Sequence, residues 1–531
     1  MCLLFGFSFK TNVLRSVNRN FVRFKSTIFA LASGYGKCGV AVIRISGPEA
    51  RSSLFRIAGM TNFPAPRQAT LRKLRDPNTK DTLDHGLVIW FPGPRSFTGE
   101  DTCEFHVHGG TAVISSVLEA LGKMEGYQPA TAGEFTKRAF YSGKLDLLEV
   151  EGLGDLIEAD TNEQRKQALF QMEGTLSKLY MDWRETLVKC TAHLEAFIDF
   201  SEEENLESGI LEENVKAVKK LLRNIKSHLA DGRRGERLRN GVRAVIIGEP
   251  NVGKSSLLNL LCQKQAAIVS PIPGTTRDII ERPLNILGFP VIVSDTAGLR
   301  VNTQDSIEQE GVKRARECIA NADLYLLVDD AENFRRSILT ENCTYNEYLR
   351  SYVERLLLSD ILMEKSCDIQ VNAESSQERG ISCPWNSSDR MFLKENCVLI
   401  LNKKDLVEDA SHLERMIKEY TQACFLSCKT SDGVTEFLSR LQSQLSILCA
   451  NPSRENPAIT QSRHRHHLQN CVFSLESYID LYEESSKYED CDVVMMVEHL
   501  RKAMRSLGKI TGHVSTDEVL DVIFSSFCIG K

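Results

Sequence analysis

The spacing of apolar positions changes character several times along the chain. Between residues 27 and 143, short apolar runs alternate with glycine- and proline-rich breaks. Gly39-Val-Ala-Val-Ile-Arg-Ile45, Gly86-Leu-Val-Ile-Trp90 and Cys103-Glu-Phe-His-Val107 read as strands, and Thr111 to Lys123 as a helix. That mixture predicts a compact α+β domain. From 144 to 240 the breaks thin out, and Leu153, Leu156, Ile157 and then Leu169, Met172, Leu176 recur at helical spacing. Residues 241–451 return to buried strands, each followed by a loop-forming motif, as in an α/β domain. Gln461 to about Leu507 is helical again. The economical arrangement is one helical-bundle domain, in parts at 144–240 and 452–531, split by the inserted α/β domain. Such insertions succeed where the inserted domain's ends lie close together. Within 241–451, residues 331–395 read as a surface insertion: Tyr345 to Met363 as an extra helix, about 367–392 as polar loop.

Four motifs sit behind the α/β strands, in order: Gly248-Glu-Pro-Asn-Val-Gly-Lys-Ser255, Gly274-Thr-Thr-Arg-Asp278, Asp295-Thr-Ala-Gly298 and Asn402-Lys-Lys-Asp405. Val242 to Ile247 leads into the first, and Ser256-Leu-Leu-Asn-Leu continues it as a helix, which is the context a P-loop needs. Backbone N–H groups between Gly248 and Gly253, Val252 among them, face phosphate oxygens. Lys254 reaches the terminal phosphates, and the Ser255 hydroxyl, with Ser256 behind it, faces Mg²⁺. Thr276, next to Thr275, is placed to close over metal and γ-phosphate. Asp295 holds the metal through water, and the Gly298 N–H senses the γ-phosphate. Asn402, Lys403 and Asp405 present an amide and a carboxylate to the guanine edge, with Ser427-Cys428-Lys429 as the last base-side loop. Together they predict a Ras-like P-loop domain that binds GTP.

The water-orienting residue of many small GTPases is absent. A glutamine commonly follows the Asp-x-x-Gly motif, whereas here Leu299 does, and its side chain cannot orient water. Downstream, Asp305, Glu308 and Glu310 are alternative carboxylates. No intrinsic arginine finger is evident, so charge building between β- and γ-phosphates needs another cation. Asn251 offers an amide oxygen to a monovalent cation, together with backbone carbonyls from Ser270 to Thr275.

Composition adds limits. The 531 residues are 42% hydrophobic and 26% charged, as in soluble globular proteins of several domains. No run approaches the roughly 18 apolar residues of a membrane span, so no stable membrane anchor is expected. The 16 cysteines are scattered without metal-ligand spacing and read as free thiols. Met1 to Pro48 contains no acid, while Lys10, Arg15, Arg19, Arg23 and Lys25 punctuate its first part. Residues 1–26 therefore read as a mitochondrial presequence. Its removal leaves a chain more acidic than the full-length net charge of −6, which argues against a general polyanion-coating protein. Arg463-His-Arg-His-His467 reads as a solvated helix face.

Added to Asn251, Pro273-Gly-Thr-Thr-Arg-Asp278 and Asp295-Thr-Ala-Gly-Leu-Arg300 are motifs outside the GTPase region. These are Arg44-Ile-Ser-Gly47, Phe91-Pro-Gly-Pro94, Ser96-Phe-Thr-Gly-Glu-Asp101, His108-Gly-Gly110, Gly133-Glu-Phe135, Lys144-Leu-Asp-Leu147 and Phe527-Cys-Ile-Gly-Lys531. On these residues the chain, from about Thr27 to Lys531, closely resembles the MnmE (TrmE) family of tRNA-modification GTPases, in its mitochondrial form.

The resemblance implies an N-terminal tetrahydrofolate-binding domain at 27–143 and a GTPase domain that dimerises when potassium binds. It places Asn251, Ser270, Ile272 and Thr275 around potassium, and Ser255 and Thr276 on Mg²⁺. It favours Glu308 as the water-orienting acid, although the loop is one residue longer than the bacterial pattern. It assigns Arg44, Glu104, Lys144 and Lys531 to a folate derivative and brings Cys528 to that pocket as a candidate catalytic thiol. The implied partners are mitochondrial tRNA in the matrix and an FAD-dependent MnmG-type protein, the homodimer joining it as a heterotetramer. The implied product is an aminomethyl-type group, taurinomethyl or carboxymethylaminomethyl, on carbon 5 of the wobble uridine. A GTP-switched mitochondrial ribosome assembly factor is the alternative; it needs an appended RNA-binding module, where the chain has the folate-like and helical domains. A membrane-remodelling GTPase would need an amphipathic anchor that is absent.

Overall fold

The computed structural model describes residues 26–200, 209–264, 266–267, 281–295, 316–339, 343–365, 391–408, 413–415, 423–449, 453, 457–488, 492–514 and 517–530. Its first sheet comprises β1 (Thr27–Leu31), β2 (Cys38–Ser46), β3 (Thr70–Arg75), β4 (Thr82–Phe91), β5 (Thr102–Gly109) and β6 (Tyr127–Pro129) in the order β3-β4-β5-β2-β1-β6. Only β1 and β6 pair in parallel. Alternation decides which way each strand faces. Ala41, Ile43 and Ile45 of β2 are fully buried, as are Cys103 and Phe105 of β5. They pack with α1 (Ala50–Arg56) and α2 (Thr111–Gly122) into one core on one side of the sheet. The intervening residues, Arg44 and Glu104 among them, lie on the opposite face, where Ile28, Ala30, Ala130 and Phe135 make a second, smaller cluster. Phe135 belongs to α3 (Glu134–Tyr141).

Helices follow: α4 (Leu147–Glu158), α5 (Asn162–Met172), α6 (Thr175–Phe200), α7 (Gly209–Leu229) and α8 (Arg234–Asn240). The second sheet then begins. Its strands are β7 (Val242–Ile247), β8 (Ala266–Ala267), β9 (Glu281–Ile286), β10 (Phe289–Asp295), β11 (Leu324–Asp330), β14 (Cys397–Asn402) and β15 (Ala423–Phe425), in the order β15-β14-β11-β7-β10-β9-β8. Its central strands are parallel and nearly all apolar, as strands covered on both faces must be. α9 (Lys254–Lys264) and α13 (Val434–Cys449) contribute to the core on one face.

The other face is where the structure departs from the sequence reading. α10 (Ala331–Leu339), α11 (Tyr345–Arg355) and α12 (Ser359–Leu362) pack Phe334, Tyr348, Tyr352, Val353 and Leu362 onto Val245, Ile247, Leu327, Leu399 and Leu401. Residues 331–339 and 343–362 thus form the helical layer that covers this face of the sheet rather than a loose surface insertion. A short hairpin, β12 (Met363–Lys365) with β13 (Met391–Leu393), follows; 366–390 lie outside the described residues.

The chain ends in α14 (Ser462–Tyr488), α15 (Val493–Thr511) and α16 (Asp517–Ser525). By internal contacts the protein comprises two compact units. One holds Met1–Ile157, Gln171–Leu222 and His467–Lys531, the other Glu158–Phe170 and Arg223–His466. The basic run at the start of α14 also departs from its solvated reading. His464 is fully buried, and Arg465 is mostly buried, its guanidinium bonded to Glu236 (2.7 Å) and Asp231 (2.6 Å). None of the described helices is long and apolar enough to cross a membrane.

Candidate active site

The first site lies at the carboxyl edge of the second sheet. β7 is flanked by β10 on one side and β11 on the other, and the chain leaves it into Gly248–Ser255. A crevice beyond the strand ends, where connections diverge, is where α/β sheets bind ligands. Gly253 is held at φ 104°, and a Cβ there would lie 2.2 Å from the Asn402 amide nitrogen, so the position admits only glycine. Asn251 is also in the left-handed region (φ 65°). The Lys254 ammonium folds back on its own loop and donates to the carbonyls of Gly248 (2.9 Å) and Glu249 (2.8 Å). Burial pulls its pKa down, against the pull of Asp295 and Glu249. These are weak neutral acceptors, which a phosphate replaces with a charged one.

The Ser255 hydroxyl donates to Asp295 Oδ2 at 3.0 Å, and Asp295 Oδ1 is buried with no partner among the described residues. A hydroxyl beside an under-satisfied carboxylate fits a hard, oxygen-seeking Mg²⁺.

The base-side loops are tied together differently from the simplest reading. Asn402 spends its amide within the protein: its nitrogen donates to the Val252 carbonyl (2.9 Å), and its oxygen accepts the Cys428 N–H (3.1 Å). It staples P-loop to base loop with one donor and one acceptor of the amide, which leaves a second N–H and a second lone pair. Asp405 is exposed, and its Oδ1 accepts from Ser427 Oγ at 2.6 Å. Its carboxylate keeps acceptor capacity beyond that bond. Lys403 reaches Asp330 at 2.8 Å. Lys404, which the motif reading passed over, bonds Asp432 (2.7 Å) and Glu414 and lies 5.6 Å from the centroid of the Phe425 ring, clasping the two loops. Burial raises the Cys428 thiol to about 11, so it lines the loop as a neutral group. Ser256 and Lys429 are exposed. Ser270, Ile272, Thr275, Thr276, Gly298, Leu299, Asp305, Glu308 and Glu310 lie outside the described residues.

The second site is on the open face of the first sheet. Register sets Arg44 directly opposite Glu104, and the guanidinium Nε donates to the carboxylate at 2.9 Å. Both side chains are only about one-sixth exposed (16% and 17%), so Arg44 is not the ordinary solvent-facing residue that its alternation in β2 allows. The rings of Phe97 and Phe135 flank its guanidinium at 5.3 and 5.8 Å. His106 approaches the far oxygen of Glu104 at 3.5 Å. Lys144 is exposed beside the Ser96–Asp101 loop, its Cε 3.5 Å from where a Gly99 Cβ would stand.

Residues 527–530 are held in place here. Ile529 bridges Ala132, and Gly530 (φ 100°) is so close to β1 that a Cβ would lie 2.1 Å from the Leu31 carbonyl. Leu31 pairs with Ile43, next to Arg44. Phe527 anchors the turn in a cluster with Phe140, Val150 and Phe524, leaving Cys528 an exposed free thiol. Lys531 lies outside the described residues. Among those described, no group of His, Cys, Asp and Glu is arranged to hold a metal ion.

Comparison with known proteins identifies the family. The family model for the N-terminus of the GTP-binding protein TrmE matches residues 27–144, and that for the MnmE helical domain matches 147–528. The chain belongs to the MnmE/TrmE family. Within it, the chain is 49% identical over 510 residues to the mitochondrial 5-taurinomethyluridine-[tRNA] synthase subunit GTPB3 of Danio rerio, covering 95% of this chain and 93% of that protein. Identity to the Homo sapiens protein of the same name is 46% over 506 residues, with the same coverage. To the tRNA modification GTPase MnmE of Maricaulis maris it is 41% over 510 residues, covering 95% of this chain and 100% of that one. The chain is therefore a GTPase and a mitochondrial member of the MnmE/TrmE family.

Proposed function

We propose that this GTPase acts with an FAD-dependent MnmG-type subunit to place an aminomethyl-type group, taurinomethyl first among the candidates, on carbon 5 of the wobble uridine of mitochondrial tRNAs. A tetrahydrofolate derivative, when bound, supplies the one-carbon unit that becomes the methylene. The observation that carries this reading is the Arg44–Glu104 pair, mostly buried, with two aromatic rings against Arg44 and the C-terminal tail beside it. A planar heterocycle with a donor edge and a carboxylate tail suits that chemistry: Glu104 accepts from ring donors, while Arg44, Lys144 and Lys531 hold carboxylates. Cys528, an exposed thiol on the C-terminal tail, is the candidate for chemistry on the carbon unit.

In the GTPase unit, Lys254 binds the β- and γ-phosphates, and Ser255 with Thr276 holds Mg²⁺, which supplies charge neutralisation when bound. Asn251, Ser270, Ile272 and Thr275 would hold potassium, whose charge would do the work of an arginine finger. Glu308 positions the attacking water, since Leu299 cannot. Turnover times a rearrangement of the homodimer and its partner; it does not touch the base.

Mass spectrometry of mitochondrial tRNA nucleosides after depletion of the protein tests the reading. Loss of the wobble-uridine modification is expected, whereas full modification with defective ribosomal subunits would replace this reading with ribosome assembly. GTP turnover is expected to rise in potassium over sodium and to fall with Asn251→Ala or Glu308→Ala. Equal rates in both salts would remove potassium from the site.

A further inference from the structure

The helix α11 carries a row of side chains that the nucleotide chemistry leaves unused. Tyr345, Tyr348 and Tyr352 recur at helical spacing and are buried, and Arg355 continues the row at the helix end. The Tyr352 hydroxyl donates to the Val328 carbonyl at 2.7 Å. Gly248, first residue of the P-loop, is pressed against the same two groups. A Cβ there would lie 2.2 Å from the Val328 carbonyl and 3.2 Å from Tyr352 Oη. The Tyr348 hydroxyl donates to the carboxylate of Asp329, which is fully buried at the end of β11. Asp329 also accepts from the Asp330 N–H (2.7 Å) and the Asn333 amide (3.3 Å).

Arg355 joins these groups to the phosphate loop. Its Nε donates to Glu249 Oε1 at 2.8 Å, its Nη2 lies 3.8 Å from Asp329 Oδ2, and its guanidinium sits 5.4 Å from the centroid of the Tyr352 ring. One cation thus serves a buried acid and a P-loop acid. Glu249 is also the residue whose carbonyl accepts from Lys254, so the residue held by Arg355 helps set where the phosphate-binding lysine rests.

We infer that α11 fixes the geometry of the P-loop, with Arg355 a positioning residue that acts on guanine-nucleotide binding through Glu249. The ion pair by itself is a modest term, because both side chains are partly exposed. Its leverage comes from location. Removing Arg355 frees Glu249 and leaves Asp329, whose pKa burial already raises, with less compensation. The loop at the head of β7 then loses one of the contacts that pre-organise it, and the cost appears in ligand affinity.

The test is titration of the full-length protein with a fluorescent N-methylanthraniloyl-GDP, alongside thermal unfolding of the nucleotide-free protein. Arg355→Ala and Glu249→Ala are each expected to weaken binding by about three- to tenfold. The double variant should lose no more than the larger single, because both break the same link. Arg355→Lys should recover part of the affinity, while unfolding midpoints stay close together. Binding by Arg355→Ala within twofold of the unsubstituted protein would overturn the inference. So would losses that multiply in the double variant, or an affinity that merely tracks the unfolding midpoint. If Arg355→Ala does not fold, Arg355→Gln, which keeps the stem and one donor, is put through the same cycle with the same deciding outcomes.

Discussion

The two sheets build their sites in opposite ways. On the first sheet the site is a face: Arg44 and Glu104 meet because antiparallel register sets them opposite, and each stands between two apolar residues of its strand. On the second sheet the site is an edge, where backbone loops leave parallel strands and run contiguously, as in Gly248–Ser255 and Asn402–Asp405. A face site depends on individual side chains and tolerates change in the loops. An edge site depends on backbone path, so a single Cβ in the wrong place is costly. The two sites should therefore fail differently and independently.

The largest effect is expected at the edge. Gly253→Ala puts a Cβ 2.2 Å from the Asn402 amide at a positive φ. Strain and clash together should weaken nucleotide binding about 100-fold or more, read by fluorescent GDP titration. Lys254→Ala should reduce GTP turnover about 10²- to 10³-fold, with binding of a folate analogue unchanged by calorimetry. The face should show the reverse. Arg44→Ala is expected to weaken 5-formyltetrahydrofolate about 10- to 100-fold, as loss of a desolvated charge partner does, with GTP turnover retained. Coupled losses in both assays from either substitution would break the comparison.

Smaller effects sharpen it within the second unit. Tyr348→Phe removes the donor to buried Asp329 and should cost about 1–2 kcal/mol, seen as a lower unfolding midpoint. Thr344→Ala breaks the capping box in which Thr344 and Glu347 exchange hydrogen bonds at the start of α11. That loss should be about 1 kcal/mol, measured the same way.

The difference between face and edge also explains what could be read from the amino-acid order. The edge motifs are continuous in the chain, so Gly248–Ser255 and Asn402–Asp405 announce a nucleotide site without any tertiary information. Arg44 and Glu104 are 60 residues apart, and nothing local shows that β2 and β5 are neighbours in that register. For that pair, resemblance to a family carried the assignment. Arg465 fails for the same reason: its acids, Asp231 and Glu236, come from more than two hundred residues earlier, so a buried ion-pair cluster reads locally as a solvated basic face. The case of α11 is different. Its tyrosine spacing and its Thr-x-x-Glu start were both present in the sequence, yet the polar stretch that follows made the whole region look like an appendage. Asn402 shows a subtler limit. The motif identifies the residue, but only the fold reveals that part of its amide is used to hold two loops together.

The central claim is a division of labour, with GTP turnover at the edge and carbon chemistry at the face, both required for one tRNA product. Its most direct test returns Lys254→Ala or Arg44→Ala protein to cells depleted of the native chain, followed by mass spectrometry of mitochondrial tRNA wobble uridines. Neither variant should restore the modification, although Arg44→Ala protein purified from the same cells still hydrolyses GTP. Full restoration by Arg44→Ala would contradict the account.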